Sequence, residues 1–222
     1  FLESQTFPGG LVAVVDSMNN IVFSIPFSDS LKIFGTQFTS NGLRDFVILK
    51  MDTASNLIYT KQIGGAFNEG NGTNGIATDR WGNVYISGAY GYADTLNLSS
   101  KLLYFDSIVL NTTYENFYIA KLDTQGHFKW AKTGNGLGYK LGQSVDVDQH
   151  GDVYFTGVLE NGFNNYFDSV LLNFPSVYGS QCFFAKYSSN GEALWARYFG
   201  IKNFNSSITP MDIAVCGSQV VF

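Results

Sequence analysis

The segment DRWGNVYISG at 79–88 returns as DQHGDVYFTG at 148–157, and this repetition limits the fold more than any other feature of the chain. A weaker copy, DSMNNIVFSI, stands at 16–25, and a degraded one, IAVCGSQVVF, at 213–222. Asp16, Asp79 and Asp148 mark equivalent positions, at intervals of 63 and 69 residues, and Cys216 follows 68 later. A second phrase alternates with the first: DFVILKMDTASNLIYTKQIG at 45–64, NFYIAKLDTQGHFKWAKTGN at 116–135 and CFFAKYSSNGEALWARYFG at 182–200. It aligns Lys50, Lys121 and Lys186, and then Tyr59, Trp130 and Trp195. A shorter echo pairs YFDSIVLN at 104–111 with YFDSVLLN at 166–173.

Each repeat therefore predicts two hairpins, with strands such as GIATD, NVYISG, FYIAKLD and FKWAKTG in order. Runs such as FVILKM are apolar on both faces, which requires cover on both sides of the sheet. No stretch sustains a 3.6-residue apolar period. Four-stranded antiparallel units at this spacing, each buried against its neighbours, predict an all-β chain of β-propeller blades. The predicted blades span 11–62, 76–132 and 145–199, and 212–222 starts a fourth. Closed propellers need about four to eight blades, so the expectation is part of a larger propeller or an assembly whose end faces are covered. The region 1–222 is read as a single domain.

The phrases GNVYISG, DTQGHFKWAK and NFYIAKLD resemble the SBBP-type β-propeller repeat of secreted and cell-surface proteins. The YFDSIVLN segment is similar to bacterial surface versions of that repeat. The resemblance covers nearly the whole chain and implies a surface or scaffold module located outside the cell. The first and last copies depart from it, with Asn19-Asn20 in place of Gly-Asn and Cys216 in place of the Asp.

The D-x-x-G turns place carboxylates and histidines together, which raises the question of chemistry. An Asp at the first turn position can bond the N–H groups that follow, and Gly three residues later supplies a positive φ. Asp79/Gly82, Asp123/Gly126 and Asp148/Gly151 fit this, and Ser188/Gly191 fits with a hydroxyl. A calcium site would need about six or more oxygens, against one or two carboxylates per turn. His127 and His150 align with Asn56, Glu192 and Trp81, so the repeat does not call for imidazole. No catalytic residue, metal site or cofactor is predicted, and the turns are read as structural. The repeated lysines are expected to lay their stems on aromatics and to reach water or Asp.

Topology places the tight turns on one side of the sheets and the long variable connections on the other. The second side carries Tyr90, Tyr92, Tyr104, Tyr139, Phe163, Tyr166 and Tyr178, a candidate face for a ligand or partner. It also carries the N-x-S/T sequons at Asn71, Asn97, Asn111 and Asn205, candidate glycosylation sites in a secretory-pathway source.

A net charge of −5 argues against a nucleic-acid partner, which needs a basic stripe to neutralise phosphates. No apolar run approaches the roughly 18 residues of a spanning helix, so no membrane insertion is expected. Cys182 and Cys216 fall at dissimilar places in the repeat and are expected to stay unpaired. The chain is expected to be a non-enzymatic structural or interaction module that binds a protein partner or itself. A glycan-binding propeller that uses the aromatic face is the alternative.

Overall fold

The computed structural model describes residues 11–67, 69, 73–92, 100–160, 165–172, 180–199, 210, 212–217 and 219–221. Among them every regular element is a strand, and the strands form several antiparallel sheets, none of which closes on itself.

The first segment contains β1 (Val12–Val15), β2 (Ile21–Phe27), a hairpin of β3 (Ser30–Ile33) and β4 (Thr36–Thr39), β5 (Asp45–Met51) and β6 (Leu57–Gly65). The second contains β7 (Thr73–Thr78), β8 (Val84–Tyr90), a hairpin of β9 (Lys101–Phe105) and β10 (Ile108–Thr112), β11 (Asn116–Leu122) and β12 (Phe128–Asn135). The third follows with β13 (Tyr139–Val147), β14 (Val153–Glu160), a hairpin of β15 (Asn165–Phe167) and β16 (Val170–Leu172), β17 (Ser180–Tyr187) and β18 (Ala193–Phe199). A last pair, β19 (Ala214–Cys216) and β20 (Gln219–Val221), starts the pattern again.

The main strands of each segment pair in chain order: β1-β2-β5-β6, β7-β8-β11-β12 and β13-β14-β17-β18. Register repeats as well. Lys50 lies opposite Tyr59, Lys121 opposite Trp130 and Lys186 opposite Trp195, and each pair is followed by a register shift. That shift is the bulge expected where a type I turn ends in a left-handed residue.

The β9–β10 and β15–β16 hairpins fall in stretches that the sequence presents as long variable connections. Each joins the sheet before its own. β9 pairs with β6 through Gly64 and Gly65, and β15 pairs with β12 through Gly134 and Asn135, so the first two sheets have six strands. The β3–β4 hairpin has the same build. Its turn residue Phe34 (φ 49°) matches Asp106 (52°) and Asp168 (50°), although the sequence there lacks the YFDS phrase.

Two apolar layers hold the sheets together. The first lies between the first and second sheets and joins Phe46, Ile48 and Ile63 to Ile86, Tyr118 and Leu122, with Leu103 and Phe105 of the hairpin wedged in. The second joins Phe117, Ile119 and Trp130 to Phe155, Phe183 and Tyr187, with Phe167 of the next hairpin. Full burial of β5, from Asp45 to Met51, follows from cover on both faces. Its second face is covered by Leu31, Ile33, Phe34 and Phe38 of the β3–β4 hairpin.

Candidate functional site

The tight turns share one geometry. Asp79 Oδ1 accepts from Trp81 N (3.0 Å) and Asn83 N (3.0 Å), and its Oδ2 accepts from Asn83 Nδ2 (2.7 Å) and the Tyr85 hydroxyl (3.0 Å). Asp123 accepts from Gln125 N and His127 N, and Asp148 accepts from His150 N and Asp152 N. Asp16 and Asp52 do the same, and the Ser188 hydroxyl accepts from Glu192 N. Gly82, Gly126, Gly151 and Gly191 all take φ of 83–84°. Burial works against the charge on Asp148, but the His150 and Asp152 N–H groups and Lys186 outweigh it and hold the carboxyl below its usual value.

These turns are also docking points between sheets. Lys50, only 1% exposed, places Nζ 2.8 Å from Asp16 Oδ2 and donates to the Gly82 carbonyl of the next unit at 3.1 Å. Lys121 Nζ and Trp130 Nε1 both donate to the Ser189 carbonyl of the third unit, each at 3.1 Å. The Tyr59 ring lies against Gly126, and the Trp130 ring against Gly191. A Cβ at either glycine would sit 2.7 Å from the ring. The lysines were expected to lay their stems on aromatics and to reach water or Asp, and sequence reasoning missed that two of them also bridge to the next unit. The signal available was their invariant register opposite an aromatic.

Gly126→Ala is therefore expected to combine two costs. The left-handed backbone adds about 1–2 kcal/mol, and displacement of the Tyr59 ring adds about 1–3 kcal/mol. Gly35→Ala, at φ 78° with nothing within 4 Å, carries only the first. Urea unfolding of the two variants measures the difference.

The aromatic face divides. Tyr90 is a core residue, 1% exposed, whose hydroxyl donates to Thr133 Oγ1. Tyr92, Tyr104, Tyr139 and Tyr166 are exposed; Tyr104 and Tyr166 occupy matching positions on the β9–β10 and β15–β16 hairpins, and Tyr139 packs edge-on to Tyr114. Asn111 is exposed, and its Oδ1 accepts from Ser100 Oγ. Phe163, Tyr178, Asn71, Asn97 and Asn205 lie outside the described residues. Cys182 is buried, Cys216 is exposed, and neither is in a disulfide. The Cys182 thiol is pushed up to about 11 by burial.

Glu69 and Lys140 are buried ionisable groups outside the repeated phrases. Glu69, 1% exposed, is pushed up to about 9 by burial and by the neighbouring charge of Asp45. Lys140 is fully buried, with Nζ donating to the Gly136 and Gly138 carbonyls, and burial brings it down to about 8. Folded Glu69 keeps a proton that the unfolded chain gives up above about 4.3, so its contribution falls as pH rises toward 9. Glu69→Gln is expected to match the wild type in melting temperature near pH 4 and to exceed it at pH 8.

Among the described residues no three His, Cys, Asp or Glu side chains group as metal ligands, and no helix is long and apolar enough to cross a membrane. No family model and no curated protein sequence matches the chain.

Proposed function

We propose that the chain is a run of consecutive β-propeller blades of the SBBP type, serving as a non-enzymatic structural and interaction module on the cell surface or outside the cell. The observation that carries this reading is the use made of the repeated residues. Asp closes its own turn, while Lys and Tyr or Trp reach into the turns of the next unit, so the motif is spent on joining unit to unit. The first strands also succeed one another side by side: β1 lies next to β7, β7 next to β13, and β13 next to β19. That is how blades fan around a common axis. Electron microscopy of the chain tests the arrangement, with sheets fanned about one axis as the expected image. A straight stack of sheets overturns it.

As a module, the chain presents its hairpin-bearing side to a partner or joins further copies. Sedimentation velocity across a wide concentration range tests self-association, and a monomer throughout overturns that mode. A second reading, glycan binding, is favoured by the matched exposed rings of Tyr104 and Tyr166, since sugar faces stack on such rings. A glycan array with hits lost in Tyr104→Ala/Tyr166→Ala supports it, and an array without hits overturns it.

A further inference from the structure

The joints between sheets use one set of parts, and the first and third sheets differ in which parts they keep. At each joint the earlier unit contributes a lysine and an aromatic from its last hairpin, plus a basic residue two positions after the aromatic. Lys61 pairs with Asp106 at 2.8 Å, and Lys132 pairs with Asp168 at 3.3 Å. The later unit contributes a turn glycine under the aromatic ring and a hairpin aspartate for the basic residue.

The third sheet keeps every part of the earlier-unit set. Lys186, Trp195 and Arg197 stand in the registers of Lys121, Trp130 and Lys132. Tyr59 and Trp130 are 7% and 8% exposed in their joints, whereas Trp195 is half-buried and Arg197 is exposed. The seat is already partly built. Val215 N donates to Asp146 Oδ2 and Ser144 Oγ donates to Asp212 Oδ1, both at 2.6 Å, which fixes β19–β20 against the third sheet. β20 stands where β2, β8 and β14 stand in their sheets. Each of those pairs along its second edge with β5, β11 or β17.

The first sheet lacks the later-unit set. Ser55 (φ 66°) holds the turn position of Gly126 and Gly191, so a Cβ stands where an incoming ring would lie. Asn19 (φ 62°) likewise replaces Gly82 and Gly151. Phe34 replaces Asp106 and Asp168, and it turns into the apolar layer beneath its own hairpin.

We propose that the face bearing Lys186, Trp195 and Arg197, together with the edge of β20 that pairs with no described strand, docks the second half of one further unit of this repeat. That segment has aspartate at its hairpin turn and glycine at its tight turn. The first sheet lacks the matching glycine and aspartate, so this joint is directional. The inference rests on the blade reading and adds to it the chemistry of the partner. β-Strand addition at the β20 edge supplies affinity, and the ring-on-glycine and Arg–Asp contacts supply specificity.

The probe is a fluorophore-labelled synthetic peptide of residues 101–135, which carries Asp106 and Gly126, titrated against the full chain. Saturable binding is expected. It weakens about tenfold or more on Trp195→Ala chain, and a Gly126→Val peptide weakens similarly on the wild-type chain. Arg197→Glu, an exposed change that leaves the fold intact, weakens binding, and an Asp106→Lys peptide restores it. Ser55→Gly and Phe34→Asp chains bind the peptide as the wild type does. Absence of saturable binding, or binding indifferent to both Trp195→Ala and Arg197→Glu, overturns the proposal. The blade reading is judged separately by the fanned or straight arrangement of the sheets in the images.

Discussion

Replacing Lys50 with alanine is expected to destabilise the chain by about 3–5 kcal/mol, the cost of leaving one member of a buried ion pair alone. The side chains of Lys50 and Asp16 are 1% and 0% exposed, and their atoms lie 2.8 Å apart. The ammonium also supplies the donor for the Gly82 carbonyl, so one truncation strands a carboxylate and disturbs the joint to the second sheet. Lys121→Ala is expected to cost less, because Lys121 is only half-buried. The double variant Asp16→Asn/Lys50→Met should recover much of the loss, since removing both charges also removes their desolvation. Urea unfolding at neutral pH measures all three.

The pH dependence gives this prediction a second handle. Burial opposes the charge on Asp16, but Lys50, the Asn20 side chain and the N–H groups of Asn20 and Met18 outweigh it and hold the carboxyl below its usual value. A depressed carboxyl adds stability above the unfolded-chain value of about 3.9, and that addition disappears as pH falls through the folded value. The gap between wild type and Lys50→Ala is therefore expected to narrow in acid. An equal gap at pH 3 and pH 7 would sink the electrostatic account.

Phe117→Ala is expected to cost about 3–5 kcal/mol and to loosen two sheets and a hairpin together. Its ring is fully buried, stacks on Phe167 at 5.1 Å, and meets Phe155 at 4.9 Å and Phe183 at 5.6 Å. Those neighbours belong to the β15–β16 hairpin and the third sheet, so the cavity opens at the centre of the second apolar layer. Hydrogen exchange provides the discriminating readout. Amides of β15–β16 and the β12–β15 pairing are expected to lose protection ahead of β1–β2, which that layer does not touch. Uniform loss across the chain would mean that the layers do not act as separate joints.

Much of the fold can be read along the chain because its signals are local. Asp79 and Gly82 are three residues apart, and a carboxylate with a left-handed glycine dictates that turn wherever it occurs. The alternation in NVYISG and the bulge after Lys121 follow from the turns and so repeat with them. The hairpins were harder to see. YFDSIVLN declares a turn flanked by apolar residues, yet nothing within it says that β9 pairs with the sheet before its own. KIFGTQFT hides the same hairpin because Phe34 takes the place of the aspartate. The aromatic face was legible only in part. Tyr90 and Tyr92 are near neighbours in sequence, but the last residue of β8 points into the first apolar layer, whereas Tyr92 stands exposed.

Along the chain itself the unit is legible in its four main strands, its tight turns, and the lysine aligned with an aromatic across the last hairpin. What each of those side chains meets follows from tertiary packing. Lys50 reaches Gly82, 32 residues onward, and Trp130 reaches Ser189, 59 residues onward. Contacts at that range depend on how one sheet turns against the next, and periodicity along a strand carries no record of that angle. The same limit applies to the first sheet. Ser55 and Phe34 read as ordinary substitutions in the sequence, and they become a one-way joint once the ring and the lysine that meet their counterparts are in place.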